Sequence, residues 1–113
     1  MSTLRNRVQL IGNPGSNPEV KSLENGNKLA RFSLATNESY KNAKGERVTD
    51  TQWHNVVAWG KTADLVERFV EKGREVALEG KLVTRNYQTD AGETRYVTEV
   101  VIQEVVLLSN KAS

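Results

Sequence analysis

Apolar and polar residues alternate with a period of two along most of the chain, the pattern of strands that bury one face. Over Arg5–Ile11 the apolar Val8 and Leu10 alternate with Arg7 and Gln9, and the run Asn13-Pro14-Gly15-Ser16-Asn17-Pro18 predicts the turn that ends this first strand. Leu29–Thr36 alternates again beyond a loop, with Ala30, Phe32 and Leu34 on one side and Arg31, Ser33 and Ala35 on the other. Asn37–Asp50 is polar, holds Lys41, Lys44, Gly45 and Arg47 around a single aromatic, Tyr40, and reads as an exposed hairpin arm or loop. Thr51–Gly60, rich in Val, Trp and Thr, predicts a third strand.

The period then changes. Leu65, Val66, Phe69 and Val70 recur at helical spacing between Thr62, a suitable N-cap, and Gly73, a suitable stop, which predicts one short helix. Over Glu75–Tyr87 the period of two returns, with Val76, Leu78, Gly80, Leu82 and Thr84 facing one way and Ala77, Glu79, Lys81, Val83, Arg85 and Tyr87 the other. The turn Thr89-Asp90-Ala91-Gly92 leads to a last strand from Arg95 to about Leu108. Three strands, a helix and a two-stranded hairpin predict an all-β OB-fold, a five-stranded Greek-key barrel with one short α-helix between strands 3 and 4. Barrels of this kind bind oligonucleotides or oligosaccharides on an outer sheet face and its loops. Periodicity alone leaves a generic small β-barrel or sandwich as the alternative.

A chain of 113 residues has room for one core, so a single domain, 1–113, ordered from about residue 4 to 108, is expected. The absence of cysteine excludes disulfides, thiolate zinc sites, iron–sulfur clusters and thiol nucleophiles, and a lone His54 excludes a multi-histidine metal site. No metal or cofactor is expected. No apolar run approaches the roughly 20 residues of a membrane span, and Met1–Arg7 has no apolar stretch behind it. A cytoplasmic protein without a membrane partner is the expectation. Sixteen Lys and Arg against 14 Asp and Glu make too small an excess to name a partner, so the placement of charge must carry that argument.

Placement is informative at the aromatics. Phe32 and Phe69 lie in phase with core positions and read as packing. Tyr40 sits among Lys, Asn and Gly, and Tyr87 ends a strand face carrying Lys81 and Arg85, poor surroundings for a buried ring. Trp53 and Trp59 share one face of the third strand, roughly 20 Å apart along it; either one alone reads more readily as core or subunit interface than as a ligand platform. Four aromatics beside Lys or Arg match what a single-stranded nucleic acid requires: rings that stack bases of any sequence along a cationic track for phosphates.

Other features point elsewhere. His54 faces away from Trp53 and reads as structural, in the core or at a subunit contact. Asp50, Asp64 and Asp90 are scattered, unlike the converging acidic ligands of a metal-dependent nuclease. In the last strand Val97, Val100, Val101, Ile102, Val105, Val106, Leu107 and Leu108 populate both faces, which predicts self-association through the outward set, with His54 a further candidate.

The segments VQLIGNPGSNPEV, ARFSLATNESY, TQWHNVVAWGK, FVEKGREVALEGKL and TRNYQTDAGETRYVTEVV, in this order from about Arg7 to Leu108, resemble the bacterial and mitochondrial single-stranded DNA-binding proteins. The resemblance implies a non-enzymatic OB-fold, usually a homotetramer, that coats single-stranded DNA in replication, recombination and repair, hence a nucleoid-associated cytoplasmic protein. By position it assigns base stacking to Tyr40, Trp53, Trp59 and Tyr87, phosphate contacts to Arg7, Lys61, Lys72, Arg85 and Arg95, and subunit assembly to His54. Tyrosine stands at 40 and 87 where tryptophan is common, and Trp59 where phenylalanine is frequent. Typical bacterial members continue into a flexible linker and an acidic tip that recruits replication and repair proteins, whereas this sequence stops at Ser109-Asn110-Lys111-Ala112-Ser113. A short form without the recruiting tail is therefore expected. Two rivals remain: a related OB-fold protein-interaction or replication-restart module whose outer aromatics contact another protein, and a nuclease on the same fold.

Overall fold

The computed structural model of the chain describes residues 5–24 and 26–108. Leu4, Asn25 and the terminal run from Ser109 to Ser113 lie outside the described residues. The elements in chain order are β1 (Val8–Pro14), β2 (Glu19–Ser22), β3 (Lys28–Lys41), β4 (Arg47–Trp59), α1 (Gly60–Phe69), β5 (Val76–Gln88) and β6 (Thr94–Leu107).

Five of the strands close on themselves. β1 pairs antiparallel with both β3 and β5, β3 with β4, and β5 with β6, while a short parallel pairing of Val56 and Val57 with Val100 and Val101 joins β4 to β6. The circuit β1–β3–β4–β6–β5–β1 is the OB-fold barrel, with α1 between its third and fourth strands. The four residues of β2 add to the edge of β3, where the sequence reading had only a loop. Four residues are too few to display an alternation, so that pairing is specified by β3.

Inward positions of every barrel strand are buried: Gly12 and Pro14 from β1, Ala30, Phe32 and Leu34 from β3, Val56 and Ala58 from β4, Val76 and Leu78 from β5, Val100 and Ile102 from β6. Ala63, Val66 and Val70 seal one end. Each fully buried Val or Leu contributes about 1.5–3 kcal/mol relative to exposure. Where strands cross most closely there is room only for glycine: a Cβ on Gly12 would overlap the Ala35 carbonyl, and one on Gly80 the Val101 carbonyl. Gly80 also marks a register shift between β5 and β6.

Several expectations are corrected. The first strand runs to Pro14, so Asn13 and Pro14 pair with Ala35 and Leu34 instead of forming a turn. The helix starts at Gly60, not after Thr62: Gly60, at φ 59°, turns the chain out of β4, and no side chain caps the helix. It ends at Phe69, and Gly73 instead closes the following turn, donating its N–H to the Pro14 carbonyl. Phe69 is exposed, with the Arg68 guanidinium 5.4 Å from its ring centroid, because the three positions Ala63, Val66 and Val70 already fill the helix stripe that meets the barrel. Leu82 and Thr84 share the inward phase of β5 but are exposed, since β5 runs on beyond the barrel.

Two paired arms leave the barrel. The β3–β4 ribbon continues in register to Lys41 opposite Arg47, and the β5–β6 ribbon to Gln88 opposite Thr94. Both turns have the same construction, three residues ending in a glycine with positive φ (Gly45, 79°; Gly92, 83°) before the returning Glu46 or Glu93. Asn42 Oδ1 accepts the N–H groups of Lys44 and Glu46, and Thr89 Oγ1 accepts that of Glu93.

Candidate nucleic-acid interface

Strand phase decides which aromatics share a surface. Along β4, Val56 and Ala58 enter the core, so Trp53, Asn55, Val57 and Trp59 point outward. Trp53 lies opposite Ala35 of β3 and Trp59 opposite Leu29, so the outward side of β3, with Arg31 and Ser33, is continuous with them. Along β5, Val76 and Leu78 point inward, so Arg85 and Tyr87 point outward, opposite Val97 and Arg95 of β6. One outer face of β3, β4, β6 and β5 thus carries Trp53, Trp59, Tyr87, Arg31, Arg85 and Arg95.

Trp53 is 62% exposed and is seated against Gly15: a Cβ there would lie 2.5 Å from Cζ3 of the indole ring. Between loop 14–19 and the β5–β6 arm lies a groove of about 540 Å³, whose lining includes Asn17, Glu19, Arg31, Arg85, Tyr87 and Glu99. Asn17 connects this groove to the loop after α1, its Oδ1 accepting the Lys72 backbone N–H. Lys72 itself is exposed, as is Lys61 in the first turn of α1, two residues beyond Trp59.

The other candidates lie apart from this face. Tyr40 is exposed on the β3–β4 arm in the phase of Phe32 and Leu34, on the opposite side of the ribbon from Trp53. Arg7 forms an ion pair with Glu79, whose Oε2 also accepts a hydrogen bond from Gln9 Nε2 at 3.4 Å, on the outer surface of β1 and β5. His54 is half-buried, its Nε2 3.0 Å from Thr36 Oγ1 on the neighbouring strand.

The model of the single-strand binding protein family matches residues 5–108. The chain belongs to this family. Single-stranded DNA-binding protein 1 of Chlorobaculum tepidum is 39% identical to it over 109 residues, spanning 96% of this chain and 67% of that protein. The single-stranded DNA-binding protein of Bacteroides thetaiotaomicron is 41% identical over 110 residues, spanning 96% and 68%. Among solved structures, a Plasmodium falciparum SSB complex with ssDNA matches with a TM-score of 0.82 at 32% identity, covering 96% of this chain and 99% of that one.

In this single-strand binding family member the charges of the outer face are organised by carboxylates. Arg85 donates from Nε to Glu99 Oε1 at 3.0 Å and from Nη2 to Oε2 at 3.4 Å, and Arg31 Nη1 lies 3.6 Å from Oε2. The hydrogen bonds to Glu99 hold the Arg85 guanidinium above its ordinary pKa. Arg95 pairs with exposed Glu93 at 3.3 Å. Arg31 and Glu99 were not singled out by sequence reasoning; the one available signal for Arg31 is its alternation with core residues on β3. Tyr96 was also passed over. At 72% exposure it is an open ring on the β5–β6 arm, opposite Asn86, in the phase of Val100 and Ile102 and so on the other side of the ribbon from Tyr87.

Among the described residues no group of three or more His, Cys, Asp or Glu converges as a metal site. Asp64 is bound to Lys28, while Asp50 and Asp90 lie on separate arms. No helix among these residues is long and apolar enough to cross a membrane.

Proposed function

We propose that this chain binds single-stranded DNA without sequence preference and protects it during replication, recombination and repair. Bases stack on Trp53, Trp59 and Tyr87, and on Tyr40 where the strand reaches the β3–β4 arm. Arg85 and Arg95 on the same face, with Lys61 and Lys72 at its margins, neutralise phosphates. Arg7 joins them only for a strand that passes round the barrel to the β1 surface. The observation that carries this reading is the common outward face of three exposed rings and the arginines between them. Stacking is tolerant of sequence because every base has a π-face, and the phosphate contacts make binding salt-dependent.

The acting form is a homo-oligomer, by family expectation a tetramer, in the nucleoid-associated cytoplasm. Self-association is supported by exposed Ile11 and Val106 on either side of half-buried Ala77 on the outer surface of β1, β5 and β6, with His54 a further subunit contact. Replication and repair proteins are further partners in this reading.

Titration with oligo(dT), followed by tryptophan fluorescence at low and near-physiological salt with duplex DNA as control, tests the proposal. Saturable quenching that weakens with salt and is absent with duplex is expected. No quenching and no affinity would overturn it, and would favour the reading in which these aromatics contact another protein.

A further inference from the structure

Glu99 is the one charged residue that is buried among the described residues, at 7% exposure. It stands in the outward phase of β6 between Val97 and Val101, where an apolar residue would cost nothing to cover. An ionised carboxylate at such a depth is expensive unless it is paired. Here it is paired twice, with Arg85 from β5 and Arg31 from β3, both of whose side chains remain more than two-fifths exposed to the groove. Two guanidinium groups face this carboxylate, and Glu19 of β2, opposite Arg31, also lines the groove. The four charges balance, so the placement of the arginines, not a net charge, is what a phosphate would meet.

We propose that Glu99 is a positioning residue that fixes Arg85 and Arg31 as a preset pair of phosphate contacts beside Tyr87. The proposal rests on the single-stranded DNA reading above. Arg85 meets Glu99 through Nε and Nη2, which leaves its Nη1 edge for a second acceptor. Removing one partner from a buried carboxylate costs more than a single solvated phosphate contact returns, so Arg85 stays on Glu99 when a strand arrives. The phosphate comes to the arginine, and less side-chain freedom is lost on binding than with a free arginine. Because Arg85 and Tyr87 are successive outward residues of β5, that phosphate is also held in register with a base stacked on Tyr87.

The sign of the effect makes this testable, since deleting a negative charge should otherwise strengthen DNA binding. Oligo(dT) affinity of the full chain is measured at about 50 and 200 mM salt for the wild type, Glu99→Gln, Arg85→Lys, Arg85→Gln and Glu99→Gln/Arg85→Gln. Glu104→Gln, on the outer surface of β5 and β6, is the charge control. Glu99→Gln and Arg85→Lys are each expected to weaken binding by about 3- to 10-fold at the higher salt, while Glu104→Gln binds as well as or better than wild type. With Arg85→Gln already present, Glu99→Gln should cost less than it does in the wild type, since only Arg31 is left to be released. Glu99→Gln binding as tightly as Glu104→Gln, or losing affinity equally in the Arg85→Gln background, would overturn the proposal. If circular dichroism shows that Glu99→Gln does not fold, Arg85→Lys decides alone, because it keeps the charge at an exposed side chain; wild-type affinity there overturns the proposal. A wild-type chain that fails to bind at all would instead overturn the DNA reading itself.

Discussion

At the residue scale, the face turns on where large rings can rest. Trp53 is exposed yet braced by Gly15, so its plane is available to a base without being free to wander. Trp53→Ala should weaken oligo(dT) binding by about 1–3 kcal/mol, the range for one stacked base, and an unchanged affinity would return Trp53 to a packing role. Gly15→Val should push the ring off its seat, lowering affinity and altering the indole emission while far-UV circular dichroism stays as in the wild type. Tyr40 and Tyr87 were legible in the sequence because an aromatic among Lys, Arg and Asn has little core to enter; Trp53 and Trp59 were legible only together with them. The Arg31–Glu99–Arg85 cluster was not: Arg85 and Glu99 lie 14 residues apart on one hairpin, but Arg31 comes from β3, dozens of residues away, and no local spacing encodes that meeting.

At the element scale, the arms and the helix show how local signals and tertiary demand share the work. Each arm ends in a turn whose left-handed glycine tolerates no side chain cheaply; Gly92→Ala should cost about 1–2 kcal/mol. Because the arm lies outside the core, the loss should appear as faster amide exchange from Arg85 to Tyr96, with weaker DNA binding, and with little change in the global melting temperature. The helix is docked by Ala63, Val66 and Val70 and by Lys28 Nζ, which lies 2.7 Å from both Asp64 Oδ1 and Glu67 Oε1. These hydrogen bonds raise the Lys28 pKa above its ordinary 10.5. Its contribution is therefore fully present below pH 10.5 and is lost as pH rises through the higher folded value. Lys28→Met should lower the melting temperature slightly near neutral pH, with the difference vanishing in strong alkali; the pair is solvent-screened, so the effect is small. A periodic helix was predicted here correctly, but its ends were not, since Gly60 begins it through a backbone turn and no side-chain cap advertises the start.

At the scale of the whole molecule, the Cα radius of gyration is 16.3 Å, against about 13 Å for a compact domain of similar length. The arms account for the excess, and they lengthen the path available to a strand beyond the barrel itself. The outer surface of β1, β5 and β6 offers a different opportunity, because Ile11 and Val106 are about half exposed in one cross-strand row with Ala77. If this row is the subunit contact, Ile11→Asp should give a lighter species by light scattering at micromolar concentration while the monomer still melts cooperatively. An unchanged mass would move the contact to another surface.

The alternation of apolar residues by itself determined the barrel strands, the helix and their order, because a strand or helix that buries one face must show its period in the sequence. Tyr40 and Tyr87 followed from the same logic, as rings in positions the core does not claim, while Trp53 and Trp59 gained that reading only in their company and Tyr96 escaped it. Only the tertiary structure decided that β2 pairs with β3, that Phe69 stays outside a stripe already filled by three smaller residues, and that Tyr40 and Tyr96 stand on ribbon sides of their own. It alone brought Arg31, Arg85 and Glu99 into one groove. Those outcomes depend on which strands become neighbours when the barrel closes, and that closure is set by the summed burial of the whole core, a quantity no single segment carries.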